Sequence, residues 1–210
     1  MDLVELIESH RFLGSEFMTW LWFRSEMHEG MIPLGDRKVC ELFVDDRITL
    51  EADMVETEQS VLKGGAPAVT PEAREALRQG KLPTQARVRT HHDGQEYLFT
   101  LKAGELQLTS VKIPAVLSKE EDEKFYERMY LIENLEGLLD HFYGEFLALR
   151  LSSAWTDVVG QIRDWVRSDD SPSVEVYTSA VSGVAALIKS SSPAMASADE
   201  PADSDDGGGT

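Results

Sequence analysis

The chain has 210 residues, 42% of them apolar, and a formal net charge of −18, which allows one ordinary core with or without a tail. No apolar run reaches the roughly 18 residues a membrane span needs, and the acidic opening Met1-Asp2-Leu3-Val4-Glu5 lacks the basic-then-apolar order of a secretory signal. Cys40 stands alone, which excludes an internal disulfide and leads to the expectation of a cytosolic protein.

In chain order, residues 4–13 predict a short helix broken at Gly14. Ser15 then reads as the N-cap of a second helix to about residue 28, with Phe17, Trp20 and Leu21 along one side. Trp22 and Phe23 make that helix apolar on more than one side. Phe17, Trp20, Trp22 and Phe23 are therefore candidates for the core or for a contact surface with another chain. Residues 30–36 read as a connector, and 39–44 with 47–51 as a hairpin around Asp45-Asp46, with Cys40 an inert sheet residue. A strand at 59–63 leads into a loop, Gly64-Gly65-Ala66-Pro67. Thr70 is then an N-cap, with Pro71 at the first helical position and Gly80 as the stop.

Strands at 84–91 and 95–102 meet at Asp93-Gly94, a hairpin signal, and a third strand at 106–113 ends before Pro114. Ser118 and Glu121 have capping-box spacing for a helix to about residue 151, roughly 50 Å long. Its stripe Phe125, Met129, Ile132, Leu135, Leu139, Phe142, Phe146 and Leu149 is expected to bury. One more amphipathic helix covers 155–166. Residues 171–189 fit no single element, and 190–210 are too poor in apolar groups to order themselves. The fold class is α+β: one domain over 1–170, a mostly antiparallel sheet with an N-terminal helix, a short inserted helix and a long C-terminal helix.

Few residues suggest catalysis. His91 and His92 are neighbours on a strand and point to opposite faces, so they cannot easily share a metal. His10, His28 and His141 are isolated, no serine sits in a Gly-x-Ser-x-Gly elbow, and neither Gly64-Gly65 nor Gly80-Lys81 continues as a phosphate loop. The acid groups Asp45-Asp46 and Glu120 to Glu123 fall in a turn and in the first turn of a helix, where acids offset the helix dipole. No catalytic group, metal or cofactor is expected, and a metal-dependent nuclease is the third of three readings.

Charge is distributed unevenly. Residues 59–118 hold eight Lys/Arg against five acids, a local +3, while the rest of the chain carries −21. Arg87 and Arg89 share one strand face, opposite Ala86 and Val88, and Arg74, Arg78 and Lys81 align at i, i+4 and i+7. With Lys63 and Lys112 these seven cations form a candidate phosphate-contacting set, able to bind DNA with little sequence reading. Tyr97 and Phe99 occupy the apolar face, which favours double-stranded DNA over single strands.

The elements from Val61-Leu62-Lys63 through Thr70-Pro71-Glu72, Gly80-Lys81, Thr84, Phe99 and Leu108 to Ile113, closing on Glu121-Asp122-Glu123-Lys124-Phe125 to Leu149, resemble the C-terminal half of the recombination-associated protein RdgC family. The helix around Phe17-Met18-Thr19-Trp20-Leu21 and the strands from Leu42 to Leu50 also fit, so the resemblance covers about residues 12–150. It implies a non-enzymatic, sequence-nonspecific DNA-binding protein of the cytoplasm and nucleoid that encircles the duplex as a dimer, with Lys63, Lys81 and Lys112 at the best-matched basic positions. The family's N-terminal half has no counterpart here. A homodimer, or a companion chain docking on the aromatic helix, is the expected partner. The alternative reading is an acidic protein-interaction module without DNA binding.

Overall fold

The first helix, α1, spans Arg11–Met27 and runs straight through Gly14 and Ser15. The expected break is absent because Gly14 serves packing: a Cβ there would lie 1.7 Å from the carbonyl oxygen of Ala103. Only a missing side chain lets helix and sheet approach this closely. The computed structural model describes residues 11–35, 38–52, 59–64 and 70–168. The expectations for 4–10, for the loop after Gly64 and for 171–210 lie outside the described residues.

Strand β1 is Met31–Pro33, in the stretch expected to be a connector, and β2 is Val39–Glu51. The expected hairpin at Asp45-Asp46 is instead a bulge in one long strand: the pairing of β2 with β4 (Leu82–His92) jumps from Val44–Val88 to Ile48–Ala86. Three residues of β2 thus oppose Arg87 alone, which bends the strand without ending it. One edge of β2 carries β1 beside its first half and β3 (Gln59–Lys63) beside its second. Beyond β4 follow β5 (Gln95–Lys102) and β6 (Gln107–Lys112), giving a six-stranded antiparallel sheet. The β4–β5 turn has Asp93 and Gly94 at φ 49° and 77°, as the Asp-Gly pair predicts.

Helix α2, Pro71–Arg78, is capped by Thr70, whose hydroxyl accepts from the Ala73 N–H. Helix α3 is Glu121–Arg150 and α4 is Trp155–Arg167. The capping box before α3 does not form. Glu120 is its N-cap and makes no side-chain capping bond, while the Glu127 carboxylate accepts the Leu117 and Ser118 N–H groups at 2.9 Å each.

One sheet face presents Ile32, Leu42, Ile48, Leu50, Ala86, Val88, Tyr97, Phe99 and Leu101, all buried, and α1 packs across it. Cys40 is on this face too, donating to or accepting from the Thr90 hydroxyl at 3.0 Å, and burial pushes its thiol pKa up. The opposite face carries Met31, Val39, Phe43, Arg89 and His91, all exposed. The fold is therefore α+β, with one helical layer on one sheet.

Gly14→Ala tests the close approach. In an open helix this change gains about 1 kcal/mol from propensity. Here it is expected to lower stability by about 1–3 kcal/mol through overpacking, read as a lower urea midpoint; an unchanged or higher midpoint would contradict the role given to Gly14.

Candidate functional site

Arg74 and Arg78 do share a face of α2, but that face meets α4. Arg74 is 7% exposed. It donates to Glu26 Oε2 at 2.7 Å, to the Ser168 carbonyl at 2.8 Å and to the Trp165 carbonyl at 3.2 Å, and lies over the Trp165 ring. Arg78 donates to the Val166 and Arg167 carbonyls at 2.8 and 3.0 Å. The last carbonyls of a helix have no intrahelical donors and sit at its negative end, so two arginines are a natural stop for α4. Lys81 is also buried, with its ammonium donating to Ser60 Oγ at 3.0 Å.

Arg87 and Arg89 lie on the helix-free sheet face, as alternation predicts. The bulge of β2 brings acids to them: Arg87 is 3.5 Å from Asp46 and 4.0 Å from Asp45, and Arg89 is 3.4 Å from Asp45. Lys63 and Lys112 are exposed but sit on β3 and β6, strands on opposite sides of the sheet. Four interstrand spacings, about 19 Å, separate those strands. The seven cations do not converge: Arg74 and Lys81 are buried, Arg78 is exposed but engaged on the end of α4, two are paired with bulge carboxylates, and two are far apart.

The aromatic set also lies elsewhere than on a docking surface. Phe17, Trp20, Trp22 and Phe23 are at most 2% exposed. Phe17 packs on Tyr143 and Phe146, Trp20 on Phe146, and both Trp22 and Phe23 on Trp165. Helix α1 is apolar all round because it is the middle helix of the layer, with α3 on one flank, α4 on the other and the sheet beneath. A companion chain has no access to these four rings.

The surface that sequence reasoning missed is on α3. The buried side chains of this helix are Leu131, Leu135, Leu138, Phe142, Phe146 and Leu149, so its first ten residues contribute nothing to the core. Phe125, Met129 and Ile132, expected to bury, are exposed by 58%, 43% and 39%, and Tyr126 and Tyr130 by more than 60%. The three-or-four spacing gave the right helix but one stripe where there are two. Leu131 and Leu138, off the expected stripe, face the core instead.

Beside this surface a cleft of about 430 Å³ separates α3 from the β4–β5 turn, lined among others by Lys38, His92, Tyr97 and Tyr130. On its sheet side the charges are matched: Lys38 is 3.1 Å from Asp93, and that hydrogen bond, with His92 nearby, holds the Asp93 carboxyl below its usual range. Among the described residues no group of three or more His, Cys, Asp or Glu is placed to hold a metal ion, and no helix is long and apolar enough to cross a membrane. Compared with protein-family models, with curated proteins and with solved structures, the chain matches none.

Phe23→Ala separates a core ring from a docking ring. Phe23 is fully buried, so the change is expected to cost about 3–5 kcal/mol in chemical denaturation. A loss under about 1 kcal/mol would return the aromatic helix to the list of partner surfaces.

Proposed function

We propose that this chain is a non-enzymatic protein-interaction module of RdgC-like architecture, acting through the outer face of the first half of α3. The observation that carries this reading is the overhang of α3: three aromatic rings and a methionine stand on a helix segment with none of its side chains in the core before Leu131, and exposed Ile132 extends the same surface. Large apolar groups gathered in one place on a strongly charged protein mark a contact site. The absence of catalysis fits the state of the reactive groups. The Cys40 thiol is buried with a raised pKa, and His91 and His92 alternate across their strand. Kinship with the RdgC family belongs to the same proposal and rests on the order of elements, a helix leading into an antiparallel sheet with a short inserted helix and a long closing one.

A second reading, contact with double-stranded DNA in recombination, has one specific support. Arg47, Lys63, Lys102 and Lys112 are exposed on the helix-free sheet face by register, and none has an ion pair among the described residues.

Two measurements divide these readings. A photo-crosslinking residue at position 129, carried by the full chain in its own cells, is expected to give a discrete protein adduct that is absent when the residue is placed at the exposed position 107. Titration of a short duplex across salt concentrations is expected to give weak binding with a slope shallower than about −2. Four phosphate contacts would instead give a slope of about −3 to −4; that result, with no adduct at 129, would replace the interaction reading with the DNA one.

A further inference from the structure

The outer face of α3 has a charge pattern that names its partner. At about 100° per residue, Phe125, Tyr126, Met129, Tyr130 and Ile132 fall in one broad arc opposite Leu131. Between Asp122 and Asp140 the same arc contains Asp122, Glu133, Glu136 and Asp140, and it contains no lysine or arginine. All four carboxylates are exposed, and none has an ion pair among the described residues. Lys38, which lines the same cleft as Glu133, is paired with Asp93, and the cations of α3 itself do not intrude. Lys124 is turned toward the inner side, where it pairs with Glu121, and Arg128 lies outside the arc.

We infer that this face binds a cationic amphipathic helix of another protein, with an apolar ridge that seats among Phe125, Met129 and Ile132 and Lys/Arg side chains that reach the four carboxylates. This rests on the interaction reading above and adds the chemistry of the partner. The pattern disfavours the other occupants. A second copy would set two acid-bearing faces against each other, and like charges brought together across an interface repel. A DNA duplex would meet four carboxylates and no cation. A neutral apolar partner would leave the carboxylates without counterparts as it dried the surface around them. A basic helix meets both features at once, and helix ridges pack into helix grooves at the spacing these side chains provide.

The probe is an 18-residue peptide with leucine at i, i+3, i+4 and i+7 and lysine elsewhere. Two controls accompany it: the same pattern with glutamate for lysine, and a scrambled leucine/lysine peptide. Fluorescence anisotropy with the full chain is expected to show saturable 1:1 binding of the patterned lysine peptide. The two controls are expected to bind at least tenfold more weakly. Phe125→Ser with Met129→Ser is expected to weaken binding at least tenfold. Glu133→Gln with Glu136→Gln is expected to weaken it several-fold and to flatten its salt dependence, while leaving the apolar ridge intact should the first pair disturb the fold. Equal binding of the scrambled or glutamate peptide, or an affinity unmoved by both variants, would overturn the inference. So would sedimentation showing a dimer of the full chain that Phe125→Ser with Met129→Ser dissociates. A crosslinked protein at position 129 together with failure of the lysine peptide would reject only the partner's chemistry and leave the interaction reading standing.

Discussion

The helical layer is tied together by one buried carboxylate. Glu26, near the end of α1, accepts from Trp22 Nε1 at 2.7 Å through one oxygen, and from Arg74 and Trp165 Nε1 at 2.7 and 2.9 Å through the other. Arg74 in turn closes the end of α4. Three helices are thus fixed to one another by a single charged centre with both partners about one-tenth exposed. A buried pair of this kind contributes little net stability over an apolar replacement, yet losing one member leaves a bare charge in the interior and costs about 3–5 kcal/mol. Its value lies in registering α1, α2 and α4, which is why Arg74 has no freedom to meet an outside phosphate. Arg24 does the same on the other flank of α1, joining Glu145 of α3 and donating to the Pro33 carbonyl at 3.1 Å.

With Arg74 held inside, Arg78 engaged on the end of α4 and the bulge acids of β2 set against Arg87 and Arg89, the middle block has far less free positive charge than its composition suggests, with Lys63, Lys102 and Lys112 as its exposed cations without an ion pair among the described residues. The protein then meets its surroundings as an acidic body with two unlike surfaces. The helix-free sheet face mixes scattered cations with carboxylates. The outer face of α3 combines apolar rings with unmatched acids. The length of α3, 30 residues or about 45 Å, exceeds what α1 can cover, and the excess becomes a presentable ridge held rigid by the half that is packed.

Much of the architecture was legible in the sequence, because local signals state local facts. Thr70-Pro71 and Asp93-Gly94 dictated a helix start and a turn, and alternation correctly divided Ala86 and Val88 from Arg87 and Arg89. What was not legible depends on distant partners. Gly14 looks like a break until Ala103 is seen beneath it. Asp45-Asp46 looks like a turn unless β4 is known to continue past it, and the same bulge is what neutralises Arg87 and Arg89. The row Arg74, Arg78 and Lys81 has the spacing of a solvent-facing stripe, and only the arrival of α4 from some 90 residues downstream converts the two arginines into helix caps. On α3 the absence of basic residues from the outer arc could have been read from the sequence, had the inner stripe been placed on Leu131 and Leu138.

The most direct test of this account is a double-mutant cycle on Glu26 and Arg74, using Glu26→Gln, Arg74→Met and the double variant in urea unfolding. Each single change is expected to cost several kcal/mol and the pair to be coupled by about 2 kcal/mol or more, because the double variant leaves no unpaired charge inside. Costs below about 1 kcal/mol for Arg74→Met, with the two changes additive to within about 0.5 kcal/mol, would mean that this arginine is not held in the interior. The case for engaged rather than DNA-facing cations would then fail.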